Sequence, residues 1–509
     1  MSELLREFER LLGASPEGTA ASSISVLLQI MEPASARLLR LCAIPHEFSP
    51  GVLQALLPGM GDEAAAAACR ELAELSVVSS VAGELSLHSI ARAELFAWWL
   101  LPERRSELVE ASHRLVAYYE KAGAAAAAGR KETLAYRRMF HLLGAEPSAG
   151  FAEFERLCRA AHREHSLSVC AILINLVHEY DALLAPEMVV ALTYHEAKLA
   201  SDLRDFERAE QLLGRVLADP AVSPELRAKA LLRQGFISCS RRDFPRAIEA
   251  YRSALLIAES LSGTSIQVHH VLASLSEAYR DSGDLATAEK LLRQSLAGAE
   301  RAGDQIGMAS AHNDLGTMLF LRREAGAAVA EYQQSLASLE RAGSRFRAAQ
   351  VYNNLSMVYT ELGDLDTADR FYLQSLAVKR ETGDMLGQAT SLLNRVRILR
   401  LRGDVPQAME VCQEAIGLFA TIRDVYRQAE AQRTLGRMYA AGQDEQQARA
   451  ALTGAAELFE RCRAVKEAVE LRRELDQLGR KLGIPWWVWL PIVLFVLLLA
   501  AIFVLEARH

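Results

Sequence analysis

The chain has 509 residues, 51% of them hydrophobic and 24% charged, with a formal net charge of −7. That length allows two or three folded regions, and the mild acidity argues against a general nucleic-acid binder, whose phosphate contacts need a basic face. Seven cysteines (Cys42, Cys69, Cys158, Cys170, Cys239, Cys412, Cys462) are scattered without a Cys-x-x-Cys pair, which fits a reducing compartment rather than a disulfide framework or a zinc site.

The opening residues MSELLREFERLLG mix acidic and basic groups. They predict a short amphipathic helix with a linker over 1–23 and lack the apolar run of a signal peptide. Residues 24–100 read as short helices followed by a hairpin, because Val77 to Leu87 alternate apolar with small or polar residues around Ala82-Gly83. Three helices and a hairpin make a winged-helix-like module. Between Glu32 and Glu94 it carries Arg37, Arg40, Arg70 and Arg92 against Glu32, Glu47, Asp62, Glu63, Glu71, Glu74, Glu84 and Glu94. A net acidic module is a poor reader of DNA.

Residues 101–185 predict a helical connector, with HRLVAYYEKAG at 113–123 and YRRMFHLLGAE at 136–146. The stretch Gly123 to Lys131, GAAAAAGRK, has the wrong spacing for a phosphate-binding loop and no hydroxyl residue after its lysine. It reads as an alanine-rich link between helices. His162 and His165 share a helical face at a spacing that suits a metal, but without further ligands they read as part of a charged surface.

From 186 to 462 a unit of about 40 residues recurs seven times. Small residues fall at Ala209, Ala247, Ala288, Ala328, Ala368, Ala408 and Ala448. About twelve residues earlier in each unit lie Ala197, Gly235, Ser276, Gly316, Ser356, Val396 and Gly436, positions where paired helices approach closely. Large residues follow at Tyr279, Leu319, Tyr359, Leu399 and Tyr439, and Gly-Asp turns stand at 283–284, 363–364 and 403–404. The Arg402-Gly403-Asp404 tripeptide is therefore a helix cap and turn. His269 and His270 are adjacent, so a helix points them in different directions. No nucleophile elbow, carboxylate pair or glycine-rich cradle stands out, and no enzyme, cofactor or metal is expected.

The repeated segment resembles the tetratricopeptide repeat family in its 40-residue variety, carried by Asn354-Leu-Ser-Met-Val-Tyr359 and Ala368-Asp-Arg-Phe-Tyr372. The resemblance implies an all-α, right-handed superhelix, an α-solenoid whose first helix in each unit lines a concave groove. Register then places Asn313, Asn353, Asn354, Asn394, Arg397, Arg400, Arg433 and Arg437 on or near that groove. Asparagines suit the backbone of an extended peptide and arginines suit carboxylates. The alternative leaves the asparagines tying helices together and the arginines as a solvated face.

The N-terminal region resembles the winged-helix module that follows the nucleotide-binding domain of STAND signal-transduction ATPases, through LLRLCA, Phe48-Ser-Pro and the Leu87-His88-x-x-x-Arg92 motif. In that class the histidine senses nucleotide phosphates. No nucleotide-binding domain precedes it here, so His88 is expected to be structural unless a separate ATPase supplies the nucleotide.

A capping helix is expected over 463–483. Then 486–505, WWVWLPIVLFVLLLAAIFVL, gives twenty uncharged residues, the length of a membrane-spanning helix. Trp486, Trp487 and Trp489 suit the headgroup level, and Arg472, Arg473, Arg480 and Lys481 put that side in the cytoplasm. The sequence thus predicts a tail-anchored adaptor, its bulk cytoplasmic, in a bacterial inner membrane. The groove would recruit a protein or peptide partner. The alternative is a regulatory or sensor subunit for a separate ATPase.

Overall fold

The computed structural model describes residues 20–81, 83–163, 166–261, 266–462 and 464–481. Regular structure there is helical apart from one two-stranded hairpin. Residues 1–19, His165 and the apolar stretch 486–505 lie outside the described residues, and among those described no helix is long and apolar enough to cross a membrane. Packing divides the chain into two compact units at Ile266/Gln267, inside the stretch read as a single array.

In the first unit, α1 (Ala20–Ile30), α2 (Pro33–Leu41), α3 (Pro50–Leu56) and α4 (Asp62–Ala73) lead to β1 (Val78–Val81), β2 (Glu84–Leu87) and α5 (Ser89–Trp99). Pro33 and Pro50 sit in the first turns of their helices, where a missing N–H costs nothing. The strands pair antiparallel from Val78↔Leu87 to Val81↔Glu84. So short a hairpin is marginal alone. Buried Phe48 steadies it, donating to the Leu85 carbonyl at 2.7 Å and accepting from its N–H at 2.9 Å.

The connector follows as α6 (Arg105–Ala125), α7 (Ala128–Ala145), α8 (Pro147–Arg163) and α9 (Leu167–His178). The Gly123–Lys131 stretch falls at the α6–α7 turn. One hydrophobic core runs from Ile24 to Leu192 and includes Phe48, Trp99, Leu115, Phe140, Phe154 and Tyr180. Residues 24–100 and 101–185 therefore share an interior. Arg92 fastens it: its side chain donates to Glu179 Oε2 (2.7 Å) and to the Pro45 carbonyl (3.2 Å), while His46 Nε2 meets Glu179 Oε1 at 2.7 Å. Burial opposes ionisation of Glu179, yet the hydrogen bond and charge of His46 and the charge of Arg92 hold its carboxyl below the ordinary range. His88 leads into α5, its backbone N–H donating to the Val77 carbonyl at 2.9 Å.

Two helical hairpins complete this unit: α10 (Pro186–Asp202) with α11 (Phe206–Ala218), and α12 (Pro224–Ser240) with α13 (Phe244–Ser260). The second unit holds α14 (Val268–Ser282) with α15 (Leu285–Ala302), α16 (Gln305–Leu321) with α17 (Ala325–Arg341), and α18 (Arg345–Leu362) with α19 (Leu365–Glu381). It continues with α20 (Met385–Arg402) and α21 (Val405–Thr421), α22 (Val425–Ala441) and α23 (Glu445–Arg461), then α24 (Val465–Lys481).

The periodic small residues explain the hairpins. All seven alanines from Ala209 to Ala448 are 0% exposed. At Gly235 the contact is closer still, because an added Cβ would stand 2.5 Å from Tyr251 Cε1. The link between paired helices takes two forms. Gly283, Gly363 and Gly403 end their helices in the left-handed conformation, whereas Arg204, Arg242, Arg323 and Gln443 accept positive φ. An aspartate then caps most second helices; Asp404 Oδ1, for example, accepts the Gln407 N–H at 3.2 Å. Arg402-Gly403-Asp404 is thus a cap and a turn.

Candidate partner-binding surface

Within the second unit, three of the first helices of successive hairpins (α16, α18 and α20) are tied by side-chain amides. Asn354 Nδ2 on α18 donates to Asn313 Oδ1 on α16 at 2.9 Å. Asn394 Nδ2 on α20 donates to Asn353 Oδ1 on α18, also at 2.9 Å. Both rungs span 41 residues, one repeat plus one position. Asn353 Oδ1 also accepts from Ser391 Oγ at 3.3 Å, and Ser391 in turn accepts from the buried Lys379 Nζ at 2.8 Å.

These rungs use only part of each amide. An asparagine side chain offers two donor hydrogens and two acceptor lone pairs. No protein partner engages Asn353 Nδ2, Asn354 Oδ1 or Asn394 Oδ1 among the described residues, and none of these atoms is sealed in the interior. Their free edges face solvent on half-buried side chains. Asn313 is more enclosed, and its Nδ2 donates to Asp314 Oδ1 at 3.3 Å. The asparagines both tie helices and present a spaced set of unused donors and acceptors.

Asp314 takes the place in its repeat that Asn354 and Asn394 take in theirs, counting by 40. Burial and the negative Glu277 push its carboxyl up to about 6, opposed by Arg280 and by the hydrogen bond from Asn313. Burial likewise lowers the Lys379 ammonium, with Asp384 partly restoring it.

The arginines behave differently. Arg397 pairs with Glu361, and Arg437 holds Glu474 through Nε at 3.0 Å and Nη2 at 2.8 Å. Arg433 reaches Glu430 at 3.4 Å and lies 5.6 Å from the Phe459 ring centroid. Arg400 is exposed and has no hydrogen bond or ion pair among the described residues. Of the four, it alone offers an uncommitted guanidinium. Sequence reasoning missed Lys379, Ser391, Asp314 and the acidic partners. A signal existed for two of these partners: Glu361 and Glu474 stand 36 and 37 residues from Arg397 and Arg437, in the neighbouring hairpin and in α24 respectively, and are of opposite charge.

Two histidine readings need correction. His269 and His270 converge: each Nε2 stands 2.9 Å from Asp304 Oδ2. Both lie in the first turn of α14, and Asp304, which caps α16, reaches between them, so adjacent side chains meet on one atom. His162 is not on an open charged face. α9 covers it, leaving Nδ1 2.8 Å from the Cys158 carbonyl and 3.2 Å from Cys170 Sγ.

The tetratricopeptide repeat family model matches residues 226–301 and 307–381. The chain therefore carries tetratricopeptide repeats. No curated protein matches it by sequence. Among solved structures it is similar to a Signal Transduction ATPase with Numerous Domains (STAND) protein with a tetratricopeptide repeat sensor from Pyrococcus horikoshii. That likeness has 13% identity and a TM-score of 0.50, and covers 95% of this chain and 67% of that one. A Rap protein complexed with competence and sporulation factor gives 15% identity and a TM-score of 0.46 over 65% of this chain and 97% of that one. Aspartyl phosphate phosphatase F from Bacillus subtilis gives 12% and 0.47 over 71% and 91%. At such identities the first likeness is one of fold.

Proposed function

We propose that this chain is an interaction scaffold that holds an extended segment of a protein partner along α16, α18 and α20, at the cytoplasmic face of a membrane. The observation that carries the reading is the half-used asparagine set. Donors and acceptors recurring at the repeat spacing match the alternating N–H and C=O groups of an extended backbone. Arg400 adds an open cation for a carboxylate on the partner. Twenty uncharged residues at 486–505, flanked by tryptophans and basic residues, support anchoring by a single C-terminal span, in a bacterial inner membrane.

The test uses residues that the array already tolerates. Asn353→Leu copies Leu393, and Asn354→Thr copies Thr434, the residues at these places in later repeats. The double variant of the full-length chain should stay folded and lose its partner. A folded variant that keeps the partner would overturn the groove reading.

One observation favours a second reading, as a sensor subunit for a separate ATPase. The fold likeness to the STAND protein extends over 95% of this chain and so includes residues outside the repeats. The helices and hairpin of 24–100 support a winged-helix-like module that would dock onto such a partner. Nucleotide-dependent binding of a P-loop protein, kept by the double asparagine variant, would favour this reading.

A further inference from the structure

Outside the repeat surface, one group of side chains brings metal-ligating atoms together inside the core of the first unit. Cys158 and His162 lie four apart on α8, and α9 places Cys170 opposite them. One ligand atom from each, two sulfurs and an imidazole nitrogen, fall within 4.8 Å of one another. Both cysteines are buried. In a tetrahedral zinc site, bonds of about 2.3 Å to sulfur and about 2.0 Å to nitrogen set ligand atoms roughly 3.5 to 3.8 Å apart. The group is therefore within about an ångström of closing on an ion, and the His162 Nδ1 to Cys170 Sγ distance is already 3.2 Å.

The surroundings of His162 strengthen the case. Its Nδ1 lies 3.2 Å from Cys170 Sγ and 2.8 Å from the Cys158 carbonyl, a hydrogen bond it gives up when it takes the metal, while Nε2 stands 3.3 Å from Asp202 Oδ2 and can carry the proton there. Asp202 is itself held by Arg233 at 2.8 Å. A carboxylate on the far nitrogen is what fixes the tautomer and raises the basicity of a metal-bound histidine. The charge of Lys198 also acts on both thiols. Two thiolates and a divalent ion sum to zero, so that ammonium meets no net positive charge.

The geometry points to a zinc site formed by Cys158, Cys170 and His162 Nδ1, with a fourth position left for water, and Asp202 as the positioning residue behind the histidine. Binding replaces two S–H bonds by two S–Zn bonds and releases two protons. It joins α8 to α9 and, through Asp202, to α10. The spacing Cys-x3-His-x7-Cys matches no common zinc signature, so the cysteines look scattered when read singly.

Cobalt(II) tests this in the full-length chain, kept in detergent, reduced and stripped of metal under anaerobic conditions. The expected result is close to one equivalent bound, a thiolate-to-cobalt charge-transfer band with the intensity of two thiolates, and displacement by zinc. Cys170→Ser should lose about half that intensity, Cys239→Ser should change nothing, and Asp202→Asn should keep the band while weakening affinity roughly tenfold or more. Absence of the band in the wild-type chain overturns the proposal, even if the cysteine variants fail to fold. So does a band that survives loss of both Cys158 and Cys170, or a Cys158–Cys170 disulfide that persists in the chain as isolated from a reducing cell.

Discussion

Asp314→Asn isolates one charge in the asparagine series. The wild-type carboxyl is pushed from its ordinary 3.8 up to about 6, by burial first and Glu277 second. The folded chain thus keeps this proton at pH values where the unfolded chain has released it. Between those two values the folded state binds more protons, so stability falls as pH rises, and above about 6 the whole penalty is present. Two pH units at 1.36 kcal/mol each give about 3 kcal/mol as an upper figure. Asparagine keeps the acceptor used by Asn313 Nδ2, fits the same volume and never ionises. The variant should therefore be more stable than wild type by about 1 to 3 kcal/mol near pH 8, and equal to it near pH 4. Because a repeat array does not unfold as one unit, amide hydrogen exchange across α14–α17 should accompany thermal melting. A variant less stable than wild type near pH 8, or a gain that does not shrink on acidification, would refute the reasoning. Attraction to Arg280 would then outweigh burial.

Arg92→Met should cost about 1 to 3 kcal/mol in the first unit, since it takes a charged hydrogen bond from the half-buried Glu179, which keeps His46; amide hydrogen exchange across α5–α9 of the full chain would show it. Gly235→Ala should cost about 1 to 3 kcal/mol because the new methyl meets the Tyr251 ring, and Tyr251→Leu should recover part of that in a melting experiment. Arg437→Glu should destabilise α24 by setting two carboxylates together, and adding Glu474→Arg should restore its exchange protection. Arg400→Glu, by contrast, should leave melting unchanged and weaken any acidic ligand by roughly tenfold, about 1.4 kcal/mol in a titration.

Much of the architecture was legible because the repeat leaves a regular trace. Each of the seven alanines in register is fully enclosed, and Gly403-Asp404 turns as its residue types require. The turns at Arg204, Arg242, Arg323 and Gln443 were not legible, since nothing in an arginine or glutamine announces positive φ. The shared core of residues 24–192 was hidden for a different reason: Arg92 meets Glu179 across 87 positions, a distance no local pattern encodes. At the surface, register alone placed the asparagines near the inner helices. It did not show that Asn354 and Asn394 spend one edge on the preceding repeat, or that Arg397 and Arg437 are already paired. Cross-repeat contacts depend on superhelical geometry, which spacing suggests but does not fix. His162 and Cys170 meet only once α9 folds onto α8.

The most direct test of the scaffold reading is calorimetric titration of an extended peptide, selected on the full-length chain, into wild type and into the Asn353→Leu/Asn354→Thr variant. Loss of amide hydrogen bonds worth about 0.5 to 1.5 kcal/mol each predicts affinity lower by about 1 to 3 kcal/mol, roughly five- to 150-fold, in a chain that stays folded but melts somewhat lower because the same substitutions remove both ties between repeats. Equal affinity for the two proteins would contradict the account and leave the asparagines as ties between helices.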